Sequence, residues 1–276
     1  MNITESEAGI LREHARNMRR NIIKMLTVAG SGHTAGSLDL ADIFASLYFK
    51  LMHYNFSDPH DTTRDLLVLS AGHTCPVLYA ALAEGGVIKP DELMSLRKFG
   101  SHLQGHPERT ALPYLETTSG PLGSGVSQAA GMAYSIKYLD QTKRRVYCVT
   151  GDGELDEGNI WEAAMFAGKS QLNNLVVFVD RNTIQLSGKT EDIMPLEPLA
   201  DKWRSFGWLV KVINGNDVAE ICNTVLNLPE DNNQPVTIIA NTVPAKGVSF
   251  MENDYHWHGK VPNAEQAQQA LEELNV

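Results

Sequence analysis

Short, almost continuously apolar runs alternate with helical stretches through the second half of this chain, and that alternation leaves few folds open. The runs lie at 145–150, 174–180, 208–213 and 235–241, and helices are predicted at 158–170, 196–206, 217–228 and 263–273. A strand that is apolar at nearly every position is buried on both faces, and strands joined by helices pair in parallel. The pattern therefore predicts the α/β class with three layers, in which helices cover both faces of a mostly parallel sheet.

The first half is predicted to be mainly helical around one further strand. Thr4 and Glu7 have the spacing of a capping box, which places the start of a helix over 5–28. Further elements are predicted as helices at 38–52, 75–84, 90–98 and 124–140 and as a buried strand at 65–70. Long loops, which are often functional, are predicted at 53–64, 99–123, 181–195 and 242–262. Because no repeat, low-complexity segment or linker interrupts residues 1–276, we expect a single domain.

Composition argues against several classes of protein. The 276 residues carry a formal net charge of −10 and no long basic run, unlike a nucleic-acid-binding protein. No apolar stretch reaches the roughly 18 residues of a membrane span, and the charged start lacks the apolar core of a signal peptide. The three cysteines are far apart and form no CxxC pair, which is typical of a reducing compartment. We therefore expect a cytoplasmic protein that binds neither nucleic acid nor membrane.

Unusual polar residues follow three of the predicted strands. The strand at 65–70 leads into Ala71-Gly72-His73, the strand at 145–150 into Gly151-Asp152-Gly153, and the strand at 174–180 into Arg181-Asn182. Ligands of open α/β sheets bind at the carboxyl ends of the strands. If these strands are parallel, the three polar segments meet at one edge of the sheet and form the candidate site.

The chemistry of these residues suits a hard cation beside a phosphate. Asp152 offers a carboxylate, Asn182 an amide oxygen, and a residue after Asn182 a main-chain carbonyl; oxygen ligands of this kind favour Mg²⁺ or Ca²⁺ over zinc. Such a dication would bridge Asp152 to a diphosphate, which explains why a glycine-rich loop suited to phosphate is so acidic. Glycines within 119–125 and the start of the helix near 158 would offer main-chain N–H groups to the anion.

The spacing of Gly-Asp-Gly, 28 residues and Asn resembles the thiamine diphosphate-binding signature, and seven motifs, two of which contain that signature, narrow the family. The motifs, in chain order, are SGHTAGS (31–37), LSAGHTCPVLYA (69–80), GHPE (105–108), TTSGPLGSG (117–125), GDGELDEG (151–158), FVDRNTIQLSG (178–188) and WHGKVP (257–262). Together they look like the transketolase motifs in the transketolase order. The resemblance extends over about residues 20–262 and implies the thiamine diphosphate-binding fold.

The resemblance implies a role for each matching residue. The metal, Mg²⁺ or Ca²⁺, would be bound by Asp152, the Asn182 side chain and the Ile184 carbonyl. Thiamine diphosphate would be contacted by His73, Gly120, Pro121, Leu122, Asp152, Gly153, Asn182 and His258. The catalytic set would be His33 and His106 at the donor's oxygens, His258 at cofactor and substrate, and Glu157 at a dimer interface that links two active sites. The cofactor carries the bond-making chemistry, and the protein supplies orientation and electrostatics.

The resemblance also implies a partner. A full transketolase has a diphosphate-binding, a pyrimidine-binding and a C-terminal domain, and this chain matches only the first. It therefore resembles the N-terminal subunit of a split transketolase, which is active only with a second subunit that carries the pyrimidine domain. The expected assembly is a heterotetramer of two chains of each kind, with the exposed faces of 124–140 and 158–170 at interfaces. The expected reaction moves a two-carbon ketol unit from a ketose phosphate to an aldose phosphate, as in the pentose phosphate pathway.

Other residues in these motifs have simpler interpretations. Glu154 and Asp156 are expected to face solvent, and Cys75 is expected to serve packing. The remaining histidines are interpreted as surface or packing residues: His14, His53, His60, His102 and His256. Departures from the usual family pattern occur at Thr34-Ala35, Ser124 and Arg181; none removes a proposed metal ligand, but the first borders the expected substrate channel and leaves the donor sugar open.

Two other functions fit the same sequence. One is a fragment similar to 1-deoxyxylulose-5-phosphate synthase, which shares the cofactor; GHPE and GPLGSG argue for transketolase instead. The other is a non-catalytic remnant that binds the cofactor for regulation or scaffolding. The intact His73, Asp152, Asn182 and His258 argue against a remnant.

Overall fold

A computed structural model describes residues 2–229 and 232–275 of the chain. The helices are α1 (Glu5–Ala29), α2 (Ala35–Asp39), α3 (Ala41–Ser46), α4 (Cys75–Glu84), α5 (Ser124–Ser135), α6 (Gly158–Lys169), α7 (Thr190–Ile193), α8 (Leu199–Ser205), α9 (Val218–Leu226) and α10 (Ala264–Glu273). The strands are β1 (Leu66–Leu69), β2 (Val146–Gly151), β3 (Leu175–Arg181), β4 (Ile184–Gln185), β5 (Gly188–Lys189), β6 (Leu209–Asn214) and β7 (Val236–Asn241). Among these helices, none has the length and hydropathy needed to cross a bilayer.

Five strands form one sheet in the order β1-β2-β3-β7-β6, and every neighbouring pair is parallel. The α/β class is therefore confirmed, with each predicted strand present to within a residue or two at either end. The parallel registers bring the carboxyl ends of β1, β2 and β3 to one edge. Gly151 at the end of β2 lies opposite Asp180 of β3, so the polar segments that follow these strands are neighbours.

The side chains of the central strands alternate between two apolar cores, one on each face of the sheet. Tyr147 and Val149 of β2 enter the core that contains α1, α3 and α4, whereas Val146 and Cys148 enter the core that contains α5, α6 and α8. β3 alternates in the same way and is buried along its whole length. Helices pack on both faces of the sheet, which confirms the predicted three layers. A strand covered in this way is apolar on both faces, as the sequence of these strands is.

The predicted capping box at the start of α1 is present. Thr4 Oγ1 accepts a hydrogen bond from the Glu7 main-chain N–H at 3.3 Å, and the Glu7 carboxylate accepts one from the Thr4 N–H at 2.8 Å. These bonds satisfy N–H groups that have no partner inside the helix. The helix ends at Gly30, whose φ of +66° favours glycine at this left-handed cap.

The chain departs from its predicted elements in three places. The single helix predicted over 38–52 is α2, α3 and a π-helical turn at Leu47–Leu51, with a break at Leu40. The helix predicted over 90–98 is a 3₁₀ helix, Pro90–Ser95. The loop predicted over 181–195 contains the β4–β5 hairpin and α7. At the break after α2, the Asp39 carboxylate accepts a hydrogen bond from Asn182 Nδ2 at 3.2 Å, a contact across 143 residues that no local pattern contains.

Candidate functional site

A cavity of about 280 Å³ opens at the carboxyl edge of the sheet. Most of the sequence-predicted site residues line it: His73, Leu122, Asp152, Gly153, Glu157, Asn182, Ile184 and His258. They come from five separated segments, which the parallel registers of β1, β2 and β3 and the long loops bring together. The predicted residues Gly120, Pro121, His33 and His106 do not line this cavity.

The close packing at Gly72 brings Gly120 and His106, two of the predicted residues that do not line the cavity, near its edge. A Cβ atom on Gly72 would lie 2.6 Å from Ser119 Cβ, 3.2 Å from the Gly120 nitrogen and 3.2 Å from His106 Cδ2. Only glycine allows the 105–120 loop to approach the end of β1 this closely. Gly120 and His106 therefore lie beside His73, the residue that follows Gly72. Pro121 lies between Gly120 and Leu122, and its carbonyl oxygen accepts a hydrogen bond from Ser124 Oγ at 2.7 Å.

Asp152 lies at the floor of the cavity and is almost fully buried. Its Oδ1 accepts from the Gly153 N–H at 2.7 Å, and its Oδ2 accepts from Arg181 Nη1 and the Thr183 N–H, both at 2.8 Å. Burial raises the pKa of Asp152, while these bonds oppose that shift. Arg181, one of the departures from the family pattern, is therefore the ion-pair partner of the proposed metal-binding carboxylate.

The orientation of the Asn182 amide is fixed by two buried carboxyl groups. Its Nδ2 donates to Asp180 Oδ2 at 2.9 Å and to Asp39 Oδ2 at 3.2 Å, so its Oδ1 points away from both and accepts from the Ile184 N–H at 3.1 Å. Burial raises the pKa of both Asp39 and Asp180, and a neighbouring carboxylate adds to each shift, that of Asp180 for Asp39 and that of Asp152 for Asp180. Asp39 Oδ1 has no hydrogen-bond partner among the described residues.

The oxygen atoms of Asp152 and Asn182 fit a hard divalent cation. Oδ1 of each residue accepts a single N–H from a nearby residue, which leaves a lone pair for a metal ion. The described parts of the chain contain no group of three or more His, Cys, Asp or Glu side chains suited to a metal. A cation here would consequently depend on amide and main-chain oxygens beside one carboxylate, which is a donor set typical of Mg²⁺ or Ca²⁺ and not of zinc.

Three of the predicted histidines form a cluster on one side of the cavity. The ring centroid of His73 lies 4.8 Å from that of His33 and 5.3 Å from that of His258. Burial, with the neighbouring rings as a lesser cause, lowers the pKa of His73 to about 3 and that of His33 to about 4, and burial alone lowers that of His258. The rings are therefore neutral at pH 7, and each can accept a proton or donate a hydrogen bond.

Two ring nitrogens of this cluster are buried and unpaired among the described residues. The Nδ1 atoms of His33 and His258 are buried and have no hydrogen-bond partner within residues 2–229 and 232–275. A buried polar atom without a partner costs about 1–3 kcal/mol, and such atoms persist where a ligand satisfies them. Burial and the positive charge of Arg97 also lower the pKa of His106, which is less enclosed.

The prediction for Glu154 was wrong, whereas Asp156 and Glu157 are exposed. Glu154 is 3% exposed, and each of its carboxylate oxygens accepts two hydrogen bonds. Two of the donors are the hydroxyls of Ser70 and Thr150, which stand at the ends of β1 and β2. The acidic run GELDEG predicts that Glu154 faces solvent, but the 3₁₀ turn Gly153–Asp156 directs its side chain inward.

Several residues that shape the site did not stand out in the sequence. Asp39 and Asp180 position Asn182, and Ser70 and Thr150 bind Glu154. Two of them lie inside motifs, Ser70 in LSAGHT and Asp180 in FVDRN, but neither residue type stood out there. Of the histidines assigned to packing or surface, His14 stacks on Phe49 with centroids 4.1 Å apart, and His256 is exposed beside Asp254.

A family model described as "Transketolase, thiamine diphosphate binding domain" matches residues 11–275. The chain is 40% identical over 270 residues to a 6-deoxy-6-sulfo-D-fructose transketolase subunit of Clostridium sp. (strain MSTE9), covering 98% of each protein. It is 38% identical over 257 residues to an apulose-4-phosphate transketolase subunit of Phocaeicola vulgatus, covering 93% of this chain and 91% of that protein.

Full-length transketolases are similar over a part of their length. Human transketolase is 38% identical over 268 residues, which make up 96% of this chain and 42% of the human protein. The crystal structure of the Campylobacter jejuni enzyme superposes with a TM-score of 0.89 at 34% identity, covering all of this chain and 43% of that one. This chain therefore spans about two fifths of the full-length enzymes, but nearly the whole length of the two subunits.

Proposed function

The chain belongs to the transketolase family through its thiamine diphosphate-binding domain, and on this basis we propose that it is the N-terminal subunit of a split transketolase. In this role it transfers, together with a second polypeptide, a two-carbon ketol unit from a ketose to an aldose. The observation that supports this most is the cavity that joins an oxygen-rich cation site to a cluster of neutral histidines. The near-complete coverage of two subunits, against 42% of a full-length enzyme, supports the split form.

In the proposed site, residues at the cavity floor would hold a cation that offsets the charge of a diphosphate. Asp152, Asn182 and the Ile184 carbonyl hold Mg²⁺ or Ca²⁺, and Gly120, Pro121, Leu122 and Gly153 contact thiamine diphosphate. When bound, the cofactor supplies the electron sink for cleavage and formation of the carbon–carbon bond. The fit rests on the free lone pairs of Asp152 and Asn182 and on the buried ring nitrogens that lack a partner.

The histidines orient the substrate and handle its protons. His33 and His106 face the donor's hydroxyl or carbonyl oxygens, His258 reaches both cofactor and substrate, and His73 contacts the cofactor. Because burial holds His33 and His73 neutral at pH 7, their rings accept protons from, or donate hydrogen bonds to, the hydroxyl groups of a sugar. The exposed Glu157 lies at the rim, where a second chain would meet it.

The names of the two similar subunits suggest a class of substrate for this chain. Their names refer to 6-deoxy-6-sulfo-D-fructose and to apulose-4-phosphate, sugars with a charged end. We propose that the donor here is likewise a ketose with a phosphate or another anionic terminal group. Residues that read that group are expected mainly on the second subunit.

The proposed assembly is a heterotetramer of two chains of each kind. After α5 the chain continues in a π-helical turn, Ile136–Asp140. Exposed apolar side chains on α5, α6 and this turn support an interface there: Tyr134, Tyr138, Leu139, Met165 and Phe166. The Tyr134 ring lies 4.9 Å from that of Tyr138 and 5.7 Å from that of Phe166, so these side chains form one patch. A contiguous apolar patch is costly to leave in water and marks an interaction site. The three buried free thiols suit a cytoplasmic location.

The split form is tested by purifying the chain with and without the second subunit, expressed from a neighbouring gene that encodes a pyrimidine-binding domain. Ketol transfer is then assayed with and without thiamine diphosphate and Mg²⁺. We expect activity only when both polypeptides and both cofactors are present. Full activity of the lone chain contradicts the split form, and metal-dependent cofactor binding without turnover on any ketose contradicts the catalytic role.

A further inference from the structure

Glu154 is a buried carboxylate that the proposed function leaves without a role. Its Oε1 accepts from Ser70 Oγ at 2.5 Å and from the Gly123 N–H at 2.6 Å, and its Oε2 accepts from Thr150 Oγ1 at 2.6 Å and from the Gly151 N–H at 3.1 Å. No cation is paired with it among the ion pairs of the described residues. Two N–H groups and two hydroxyls therefore take the place of a counter-ion.

These four donors adjoin the cofactor cavity, and Gly151 lines it. Gly123 follows Leu122, and Gly151 precedes Asp152, and both of those neighbours line the cavity. Ser70 precedes Ala71, a further lining residue. The Glu154 carboxylate thus joins the loop at 119–125 to the carboxyl ends of β1 and β2. Two of its donors are distant in the chain, since Ser70 is 84 residues and Gly123 is 31 residues from Glu154.

Gly123 has little freedom to find another acceptor. Its φ is +80°, and a Cβ atom at this position would lie 2.0 Å from Asn159 Oδ1 and 2.9 Å from Glu157 Cβ. The loop is therefore pressed against the start of α6 in a conformation that favours glycine. In this conformation the Gly123 N–H is directed at Glu154 and is not available to an anion in the cavity.

We infer that Glu154 is a positioning residue, which fixes the 119–125 loop against the ends of β1 and β2 so that the cavity has its binding shape before the cofactor enters. Leu122 and its neighbours are then already ordered in the folded chain. Less conformational entropy is lost when the cofactor binds, and its affinity is therefore higher. This inference rests on the proposed function for the identity of the ligand, thiamine diphosphate with Mg²⁺. The contact between Glu154 and Gly123 does not depend on it.

Two variants test the inference at different strengths. Glu154→Ala removes all four acceptor interactions. Glu154→Gln retains one oxygen, which will face Gly123 because that bond is the shorter of the two to main-chain nitrogen, and turns its NH₂ group towards Thr150 and Gly151. The amide is therefore expected to restore part of what alanine loses, and it keeps the test available if the alanine variant fails to fold.

The matched controls are Asp65→Ala and Asp65→Asn. Asp65 is also buried and also accepts from main-chain N–H groups, those of His53 and Arg145, but it lies at the opposite edge of the sheet. Hydrogen exchange of the Gly123 amide is measured on the cofactor-free chain. The dissociation constant of thiamine diphosphate, KM and kcat are measured with Mg²⁺ on the complex with the second subunit.

We expect at least tenfold faster exchange at Gly123 and at least tenfold weaker cofactor binding in Glu154→Ala, with smaller changes in Glu154→Gln. At saturating cofactor, kcat is expected to stay within threefold of wild type, and both Asp65 controls are expected to leave exchange and affinity unchanged. Unchanged exchange at Gly123, or faster exchange with unchanged cofactor affinity, overturns the inference. If the wild-type complex binds no thiamine diphosphate, the proposed function fails, and the exchange result still shows whether Glu154 holds the loop.

Discussion

The two edges of the sheet differ in whether their buried ionisable side chains have hydrogen-bond partners within the chain. At the amino edge, the Asp65 carboxylate accepts from the N–H groups of His53 and Arg145 at 2.9 and 2.7 Å, and Arg64 forms a two-point ion pair with Glu116. At the carboxyl edge, His33 Nδ1, His258 Nδ1 and Asp39 Oδ1 are buried without a partner among the described residues. The same sheet therefore satisfies its ionisable groups at one edge and leaves some of them unsatisfied at the other.

The difference indicates where a ligand belongs. Buried polar groups without partners cost free energy, and a ligand that enters the cavity is one way to complete their hydrogen bonds. At the same edge the pKa values of His33 and His73 are lowered and those of Asp39 and Asp180 are raised. Such clustering is typical of functional sites. The carboxyl edge thus has the features expected of a binding site, whereas the buried charges named at the amino edge are paired within the chain.

The largest effect is expected for Asp152→Ala. The variant should lose metal-dependent thiamine diphosphate binding by at least about 100-fold, because it removes the only carboxylate among the proposed metal ligands. The fold should persist, since Arg181 retains its bonds to Glu191 and Glu197. The measurement is calorimetric titration of the assembled complex with cofactor, with and without Mg²⁺.

Asp65→Ala is the control for Asp152→Ala, because it deletes a buried carboxylate at the amino edge. It is expected to change cofactor affinity by less than about twofold. Tight, metal-dependent binding by Asp152→Ala would show that the metal assignment is wrong. Equal loss of binding in both variants would show that the two edges do not differ in the way proposed.

A second prediction concerns the pH dependence of stability. Burial lowers the pKa of His73 to about 3, whereas the ring in the unfolded chain titrates near 6.5. As pH falls below about 6.5, the His73 ring is protonated in the unfolded chain but not in the folded chain. The free energy of unfolding therefore falls by about 1.4 kcal/mol per pH unit until about pH 3. Between pH 7 and pH 5, wild type should lose up to about 2 kcal/mol more than His73→Asn.

Urea unfolding of both proteins at several pH values between 7 and 5 measures this difference. The carboxyl groups that titrate in the same range are common to both proteins and cancel in the comparison. Parallel pH profiles would show that His73 is not held neutral. A wild type that gains stability relative to His73→Asn as the pH falls would show that the pKa of His73 is raised, contrary to the effect of burial.

The fold was largely predictable because its signal is local. Each strand of the main sheet is a run of apolar β-formers, and burial on both faces leaves no other use for such a run. The helix predicted over 38–52 was wrong at Leu40, where α2 ends beside Asp39. The Asp39 side chain accepts from Asn182, and its carbonyl oxygen from Asn216, 143 and 177 residues away. No helical periodicity contains contacts of that range.

The site was predictable only where a motif carried it. Asp152 and Asn182 follow recognisable strands at a recognisable spacing, and the structure places both in one cavity. Glu154 lies two residues from Asp152 in the same motif, and its burial was missed. Its environment is formed by Ser70 and Gly123, so it depends on how three distant segments meet. Acidic residues in a turn usually face water, and the sequence alone gave no reason to depart from that rule.

The smallest effect is expected for Asp65→Asn, and it tests the amino edge on its own terms. An asparagine keeps one acceptor oxygen but places an NH₂ group against one of the two N–H donors, His53 or Arg145. One buried N–H then lacks a partner, which should lower the free energy of unfolding by about 1–2 kcal/mol in urea titrations. Thiamine diphosphate affinity and kcat of the assembled complex should stay at wild-type values, because the substitution lies at the far end of β1 from the cavity. A fall in cofactor affinity as large as that of Glu154→Gln, without a fall in stability, would mean that the amino edge also serves binding, and the division of the sheet into two edges would have to be abandoned.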